Sequence, residues 1–167
     1  ESAVLNGVTV TGSGYANQSL AEGGVIHVEG SVQITDSTFS SNSGGLGGVI
    51  YADGGSVSMS DSVFSAISAS KGGVMYARDG AVVTSTNNTF QNNSASGYGG
   101  VFTFWFGVDL VETGSTYDSN MSDGNGGALY VNHNPSEFIP NTVQISDAVF
   151  ESNQSANGSF SSGSGGA

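Results

Sequence analysis

The chain is 167 residues long, with 27 Gly, 2 Pro and no Cys. Lys and Arg together number 2 against 14 Asp and Glu, so the formal net charge is −12 at pH 7. Nucleic acids and anionic membrane surfaces bind clustered basic residues, so this composition excludes both as partners. No apolar run approaches the roughly 18 residues that a spanning helix needs, and we expect one domain, residues 1–167, without membrane insertion.

An internal repeat dominates the sequence after a strand-like start, ESAVLNGVTV. Each unit contains a Gly-Gly pair followed by two small or apolar residues. The pairs begin at Gly23, Gly47, Gly72, Gly99 and Gly126, at steps of 24, 25, 27 and 27 residues. Such a period is typical of solenoids, in which each unit buries its apolar face against the next unit.

Two further columns recur with the same period. An aromatic residue precedes each Gly-Gly pair by eight or nine positions, with a sixth member near the end: Tyr15, Phe39, Phe64, Phe90, Tyr117 and Phe150. Three positions after the aromatic, an amide recurs and is interrupted by Ile67: Gln18, Asn42, Asn93, Asn120 and Asn153. Like residues stack on one another in a parallel solenoid, so these columns predict internal aromatic and amide ladders.

Each unit holds three short strand-like runs, such as VIHV, SVQI and STF, and turn pairs such as Glu29-Gly30 separate the first two. Residues 132–141 contain both prolines and are expected to form an inserted loop, and residues 158–167 form a Gly- and Ser-rich tail. The pattern predicts an all-β fold, a parallel three-stranded β-helix of about six coils. Right-handed coils are usual for such crossovers. An antiparallel sandwich or barrel is the alternative.

The repeat motifs resemble those of a known family. GGVI, GGVM, GGVF and GGAL pair with FSSN from Phe39, FQNN from Phe90, YDSN from Tyr117 and FESN from Phe150. This pairing resembles the repeat signature of chlamydial polymorphic outer membrane proteins and of related β-helical passenger domains of surface adhesins. The resemblance covers about residues 8–153 and departs at Phe64, which begins FSAI. It implies a β-helix and an extracellular or cell-surface location.

Six N-x-Ser/Thr sequons also favour a secreted glycoprotein. The acceptor positions are Asn17, Asn87, Asn92, Asn120, Asn153 and Asn157.

We find no catalytic constellation and expect no enzyme activity, metal or cofactor. Lys71 and Arg78 are the only cations, and they flank one strand at opposite ends, which disfavours a polysaccharide lyase site. Asp36 and Asp61 recur at a turn column, where we interpret them as turn-forming residues rather than calcium ligands. His27 and His133 have no nucleophile partner at a recognisable spacing.

Two surface columns give alternative binding functions. The first is a hydroxyl column with a companion two residues further on, which suggests ice binding but mixes Ser with Thr, whereas flat ice-binding faces are usually more uniform. Its members are Thr11, Thr35, Ser60, Thr86, Thr113 and Ser146. A second column follows the Gly-Gly pairs: His27, Tyr51, Tyr76 and Tyr130. If Ile26 and Val28 face inward, this column forms an exposed stripe that could bind a glycan or a neighbouring rod, whereas the reverse register would bury it.

The ends of a β-helix expose unpaired strand edges, which natural proteins cap. The termini show no amphipathic capping helix, and an uncapped solenoid can associate head to tail into a filament. We therefore predict an extracellular structural protein that forms or decorates surface fibres by end-to-end self-association. The alternative is an adhesin-like module that binds a glycan or another cell-surface ligand. Charge at Val8 and Val10 is expected to abolish fibres and to spare ligand binding.

Overall fold

The computed structural model describes residues 1–14, 22–132 and 139–156. Within these residues the regular elements are 22 short β-strands, and helices are absent. All strand pairings are parallel and join residues between 24 and 33 positions apart, for example Ile26 with Ile50 and Thr116 with Val149. This confirms the predicted all-β parallel β-helix.

The first three coils contain eleven strands. They are β1 (Ser2–Asn6), β2 (Thr9–Thr11), β3 (Ile26–Val28), β4 (Ser31–Thr35), β5 (Thr38–Ser40), β6 (Ser43–Leu46), β7 (Ile50–Asp53), β8 (Ser56–Ser60), β9 (Val63–Ser65), β10 (Ser68–Lys71) and β11 (Met75–Arg78). The inserted-loop prediction, residues 132–141, falls between two strands of the later coils.

The later coils contain the other eleven strands. They are β12 (Val82–Thr86), β13 (Thr89–Gln91), β14 (Ser94–Tyr98), β15 (Phe102–Trp105), β16 (Asp109–Thr113), β17 (Thr116–Asp118), β18 (Met121–Ser122), β19 (Leu129–Val131), β20 (Thr142–Ser146), β21 (Val149–Glu151) and β22 (Gln154–Ser155). Residues 133–138 of the predicted loop and the predicted tail, 158–167, lie outside the described residues.

The strands stack into four parallel sheets. Sheet A contains β1, β4, β8, β12, β16 and β20; sheet B contains β2, β5, β9, β13, β17 and β21; sheet C contains β6, β10, β14, β18 and β22; sheet D contains β3, β7, β11, β15 and β19. Sheet C is a fourth side of the coil, beyond the three strands predicted per repeat. Its small residues, such as Ser43 and Gly44, lack the apolar alternation that marks a strand in sequence.

In the first coil, the strand register differs from the one expected when the repeats are aligned on their aromatic residues. Val10 pairs with Phe39, 29 positions later, so Val10 and not Tyr15 precedes the aromatic column. Ser13 takes the place predicted for Gln18, and its N–H donates to Asn42 Oδ1 at 2.9 Å. The alignment on aromatics missed this register because the first ladder position is aliphatic; Tyr15 itself lies outside the described residues.

The core fills the inside of the coil. Sheet A alternates exposed and buried residues, and its inward side chains, such as Val32, Ile34 and Val83, pack with the inward residues of sheets B and D. The corner between sheets A and B has a left-handed backbone, with φ of 49° at Asp36 and 51° at Asp61. Asp and Asn tolerate this conformation better than most residues, which accounts for the recurring Asp and Asn of this column.

Candidate functional site

The inner aromatic ladder is a regular column through the coils. The ring centroids of Phe39 and Phe64 lie 5.2 Å apart, and those of Phe64 and Phe90 lie 5.1 Å apart. Tyr117 follows at 4.8 Å from Phe90, and Phe150 at 4.5 Å from Tyr117. The rings from Phe39 to Tyr117 are at most 2% exposed. The column therefore belongs to the core and offers a ligand no surface.

The amide column joins successive coils through side-chain hydrogen bonds. Asn93 Oδ1 accepts from the Ile67 N–H, and Asn93 Nδ2 donates to the Phe64 carbonyl and to Asn120 Oδ1, each at 3.0 Å. Asn120 Nδ2 in turn donates to Asn153 Oδ1 at 2.9 Å. These amides satisfy buried backbone groups at the corner between sheets B and C, a structural role.

A second polar column joins the coils at the corner between sheets A and B. The N–H of Ser37 donates to Ser62 Oγ, that of Ser62 to Asn88 Oδ1, and that of Asn88 to Ser115 Oγ, each at 3.0 Å. All four side chains are buried. This is the companion column of the predicted ice-binding face, and it points into the protein. The ice-binding interpretation is therefore wrong for this column.

One carboxylate lies inside the coil. Glu112 is 1% exposed, and its oxygens accept from the Tyr117 hydroxyl at 2.7 Å and from the Ser115 N–H at 3.2 Å. Burial, together with the nearby Glu112 carboxylate, raises the pKa of Tyr117 well above its usual value. The pair is a closed internal contact rather than a surface site.

The predicted glycosylation positions differ in accessibility. Asn87 and Asn92 are exposed. Asn120 is fully buried and donates from Nδ2 to both Phe90 and Asn153, so the prediction of a glycan at Asn120 is wrong. The half-buried Asn153 likewise donates from Nδ2, to the Tyr117 carbonyl at 2.8 Å. Asn17 and Asn157 lie outside the described residues.

The predicted aromatic stripe lies on the outer side of sheet D, but its middle is covered. Tyr51 has no exposed surface and Tyr76 is 6% exposed, whereas His27 is exposed and Tyr130 is half-buried. The Tyr51 and Tyr76 rings stack at 5.8 Å, the His27 ring lies edge-on to Tyr51 at 4.9 Å, and the Arg78 guanidinium lies over Tyr51. Of the two registers that the sequence leaves open, the column takes the outward one, but it does not form a continuous exposed stripe.

Three neighbouring columns of side chains form what we call the outer face. The members, in register from coil to coil, are Leu46, Lys71 and Tyr98; His27, Tyr51, Tyr76, Thr103 and Tyr130; and Asp53, Arg78 and Trp105. Both basic residues of the chain lie here, although the sequence alone separates them. Burial raises the pKa values of Tyr51 and Tyr76 to about 12.

Arg78 is neutralised by carboxylates. Its Nη2 lies 2.7 Å from Asp53 Oδ2 and its Nε lies 3.2 Å from Asp53 Oδ1, while Asp79 Oδ2 is 3.1 Å from Nε. The hydrogen bonds from Arg78 lower the pKa of Asp53, and those to Asp53 raise the pKa of Arg78. The Arg78 guanidinium therefore makes its ion pairs within the protein, with Asp53 and Asp79.

Lys71 differs from Arg78, because no carboxylate of the described residues lies within ion-pair distance of it. Its Nζ lies 5.0 Å from the centroid of the Trp105 ring, a cation–π contact. Tyr98 and Tyr130 stack at 4.6 Å on the same face. All four side chains are half-buried. Trp105 Nε1–H is buried without a hydrogen-bond partner among the described residues.

Phe106, next to Trp105, has a strained backbone. Its φ is 56°, while the positions that correspond in the two preceding coils are Gly54 and Asp79, at φ of 69° and 54°. Gly and Asp adopt this conformation readily, whereas it destabilises a bulky aromatic residue by about 1 kcal/mol or more. Phe106 is half-buried and lies edge-on to Trp105 at 5.5 Å.

Sequence reasoning missed Trp105, Phe106 and Tyr98 as members of a surface group. A signal was present: Trp105 is the only Trp, and Trp-Phe-Gly stands where other repeats have Asp-Gly-Gly or Arg-Asp-Gly. In the described ranges, no group of three or more His, Asp or Glu lies together as a possible metal site. The described chain also contains no helix that is long and apolar enough to cross a membrane.

Comparison with known proteins gives one family match. The Chlamydia polymorphic membrane protein repeat matches residues 36–53, which run from the left-handed corner of Asp36 through β5, β6 and β7. No curated protein and no solved structure matches the chain. The segment thus carries a polymorphic-membrane-protein repeat on a β-helix, as the sequence motifs predict. The repeat and the fold together fit a surface-associated, adhesin-like protein.

Proposed function

We propose that this chain is a structural segment of a cell-surface fibre in which the last coil of one copy stacks on the first coil of the next. The observation that carries the proposal is that, among the described residues, core columns are exposed at both ends. Hydrophobic core residues left open in this way favour a covering partner.

At the C-terminal end, the last strand of sheet A leaves inward-facing side chains exposed. Val143 pairs with Leu110 and Ile145 with Glu112 in the coil beneath. Leu110 and Glu112 are 1% exposed, whereas Val143 is 37% and Ile145 43% exposed. The exposed fraction is higher in the last strand because no further coil covers Val143 and Ile145 among the described residues.

The N-terminal end is complementary in pattern. Ala3 and Leu5 of β1 are the inward residues there, and Leu5 packs against the core. A cavity of about 730 Å³ opens beside Ala3, and its lining includes the apolar residues Val28 and Val32 and the acidic residues Glu1 and Glu29. In the register that joins β1 to β4, β20 of one copy would align its inward residues with those of β1 in the next.

The same register determines whether the aromatic and amide ladders continue across the junction between two copies. Phe150 of one copy would meet Val10 of the next, and Asn153 would meet Ser13, because these residues hold the ladder positions. The aromatic and amide ladders thus end at each junction. The stacking is instead supported by backbone hydrogen bonds and aliphatic contacts.

Sedimentation velocity over a range of concentrations tests this proposal, with Ile145→Asp as the disrupting variant. Gln144→Asp is the matched control, because Gln144 is the outward neighbour on the same strand. We expect the wild type and Gln144→Asp to associate with rising concentration and Ile145→Asp to stay monomeric. Charged substitutions at Val8 and Val10 should have the same effect from the other end. A wild type that stays monomeric, or an Ile145→Asp variant that still associates, would refute end-to-end stacking.

A further inference from the structure

The outer face contains a half-exposed patch around the one cation that has no carboxylate partner among the described residues. The patch consists of Lys71, Tyr98, Trp105, Phe106 and Tyr130. Two of its rings stack on each other, Lys71 lies over a third, and the fourth, Phe106, is held at a strained backbone position. A patch of aromatic rings on a rigid sheet differs from the Ser- and Thr-rich outward sides of sheets A and B.

We infer that this patch binds an acidic glycan, with pyranose rings against the aromatic side chains and a sugar carboxylate on Lys71. The inference does not depend on end-to-end stacking, because the patch lies on the side of the coil.

Charge complementarity selects an anionic group over a cationic one. Lys71 Nζ already lies over the Trp105 ring, so a cationic ligand that approached this ring would meet a like charge. Arg78, the other cation, is paired with Asp53 and Asp79. In a chain of net charge −12, long-range attraction for anions is absent, so an anion can be held only by local contact with Lys71.

The half-buried aromatic rings of the patch favour a sugar as the ligand. Tyr98 and Tyr130 each combine an apolar ring with a polar hydroxyl, and such side chains favour ligands that are apolar on one side and hydroxylated at the edge. Phe106 keeps a fourth ring there despite its φ of 56°, where the preceding coils have Gly and Asp.

Trp105 is the only tryptophan, so its fluorescence reports on this patch alone. The experiment titrates the full chain with hexagalacturonate and with maltohexaose, a neutral chain of equal length. We expect saturable fluorescence change with the acidic chain and affinity at least about tenfold weaker for the neutral one, the size of one charge-assisted contact.

Variants then assign the contacts. Lys71→Gln should weaken hexagalacturonate affinity roughly tenfold and leave that for maltohexaose unchanged, and Lys71→Arg should restore most of the loss. His27→Ala is the matched control, since His27 is an exposed ring on the same sheet, three strands from Trp105. Circular dichroism verifies that each variant is folded.

Three results would overturn the inference. One is the absence of any fluorescence change with hexagalacturonate, and another is equal affinity for the two oligosaccharides. The third is a folded Lys71→Gln variant that binds the acidic chain as tightly as the wild type.

Discussion

Two groups of aromatic side chains run along this β-helix, the inner ladder from Phe39 to Phe150 and the outer face around Tyr51, Tyr76 and Trp105. The inner rings stack in one column with aliphatic neighbours and no charge except Glu112. The outer rings lie beside both cations of the chain and leave two polar atoms, Tyr51 Oη and Trp105 Nε1, without partners in the described residues. Uniform burial is typical of structure, whereas unpaired groups and strain are more typical of sites that bind.

The largest expected effect is on the free energy of unfolding, to which the inner rings should contribute more than the outer rings. Phe64→Ala removes a fully buried ring that stacks on both sides, and we expect a loss of about 4 kcal/mol in the free energy of unfolding. Tyr130→Ala removes a half-buried ring with one stacking partner, and should cost about 1 kcal/mol. Urea denaturation measures both. Equal losses would mean that the outer rings belong to the core.

The amide ladder should depend on hydrogen bonds as strongly as the inner rings depend on burial. Asn93→Ala leaves the Ile67 N–H and the Phe64 carbonyl unpaired in the interior, a loss of about 3 kcal/mol. Asn92→Gly is the control, because Asn92 is exposed at φ 55° and glycine fits that backbone. If the two variants melt at the same temperature, the ladder contributes nothing measurable.

Alkaline pH should act mainly through buried tyrosines. The pKa values of Tyr51 and Tyr76 are raised by burial from 10.0 to about 12. The folded state thus binds these protons more tightly than the unfolded state, so their stabilisation is complete below about pH 10 and is lost as pH rises towards 12.

Tyrosinate absorbance and circular dichroism, followed together, measure this effect. Ionisation of the buried tyrosines should coincide with loss of structure, and the double variant Tyr51→Phe, Tyr76→Phe should unfold at higher pH. Free ionisation at pH 10 in the folded protein would contradict the burial of both rings.

The smallest expected effect is a gain in stability rather than a loss. Phe106→Gly relieves a left-handed backbone strain and should raise stability by up to about 1 kcal/mol, while it weakens glycan binding at the neighbouring Trp105. Asp79→Gly at the corresponding position of the preceding coil should gain less, since Asp tolerates this φ and contacts Arg78. A Phe106→Gly variant that is less stable and binds normally would mean that Phe106 serves packing alone.

The sequence contained enough to predict the fold but not the site. Periodic Gly-Gly pairs and aromatics at Phe39, Phe64 and Phe90 dictate stacked coils, because like residues must meet at each turn. The register of the first coil was hidden, since Val10 is aliphatic and the coil is longer. The outer face was hidden for another reason: Lys71 and Trp105 are 34 positions apart, and they meet only because consecutive coils place β10 beside β14 and β11 beside β15.

Burial on the outer face was likewise beyond the sequence. A pattern with period two places Tyr51 and Tyr76 on the same face of sheet D, but it determines neither which face is the outer one nor whether neighbours cover them. Stacking with each other and the approach of Arg78 decide this, and both depend on side-chain positions.

Electron microscopy of the purified protein across concentrations tests the proposed stacking most directly. Sheets A and B each stack six strands per copy, so end-to-end assembly predicts unbranched fibres with a subunit rise of about 29 Å, at roughly 4.8 Å per strand. Fibres should lengthen with concentration and vanish with Ile145→Asp. Monodisperse particles at every concentration, or fibres with an unrelated repeat, would contradict end-to-end assembly of the coils.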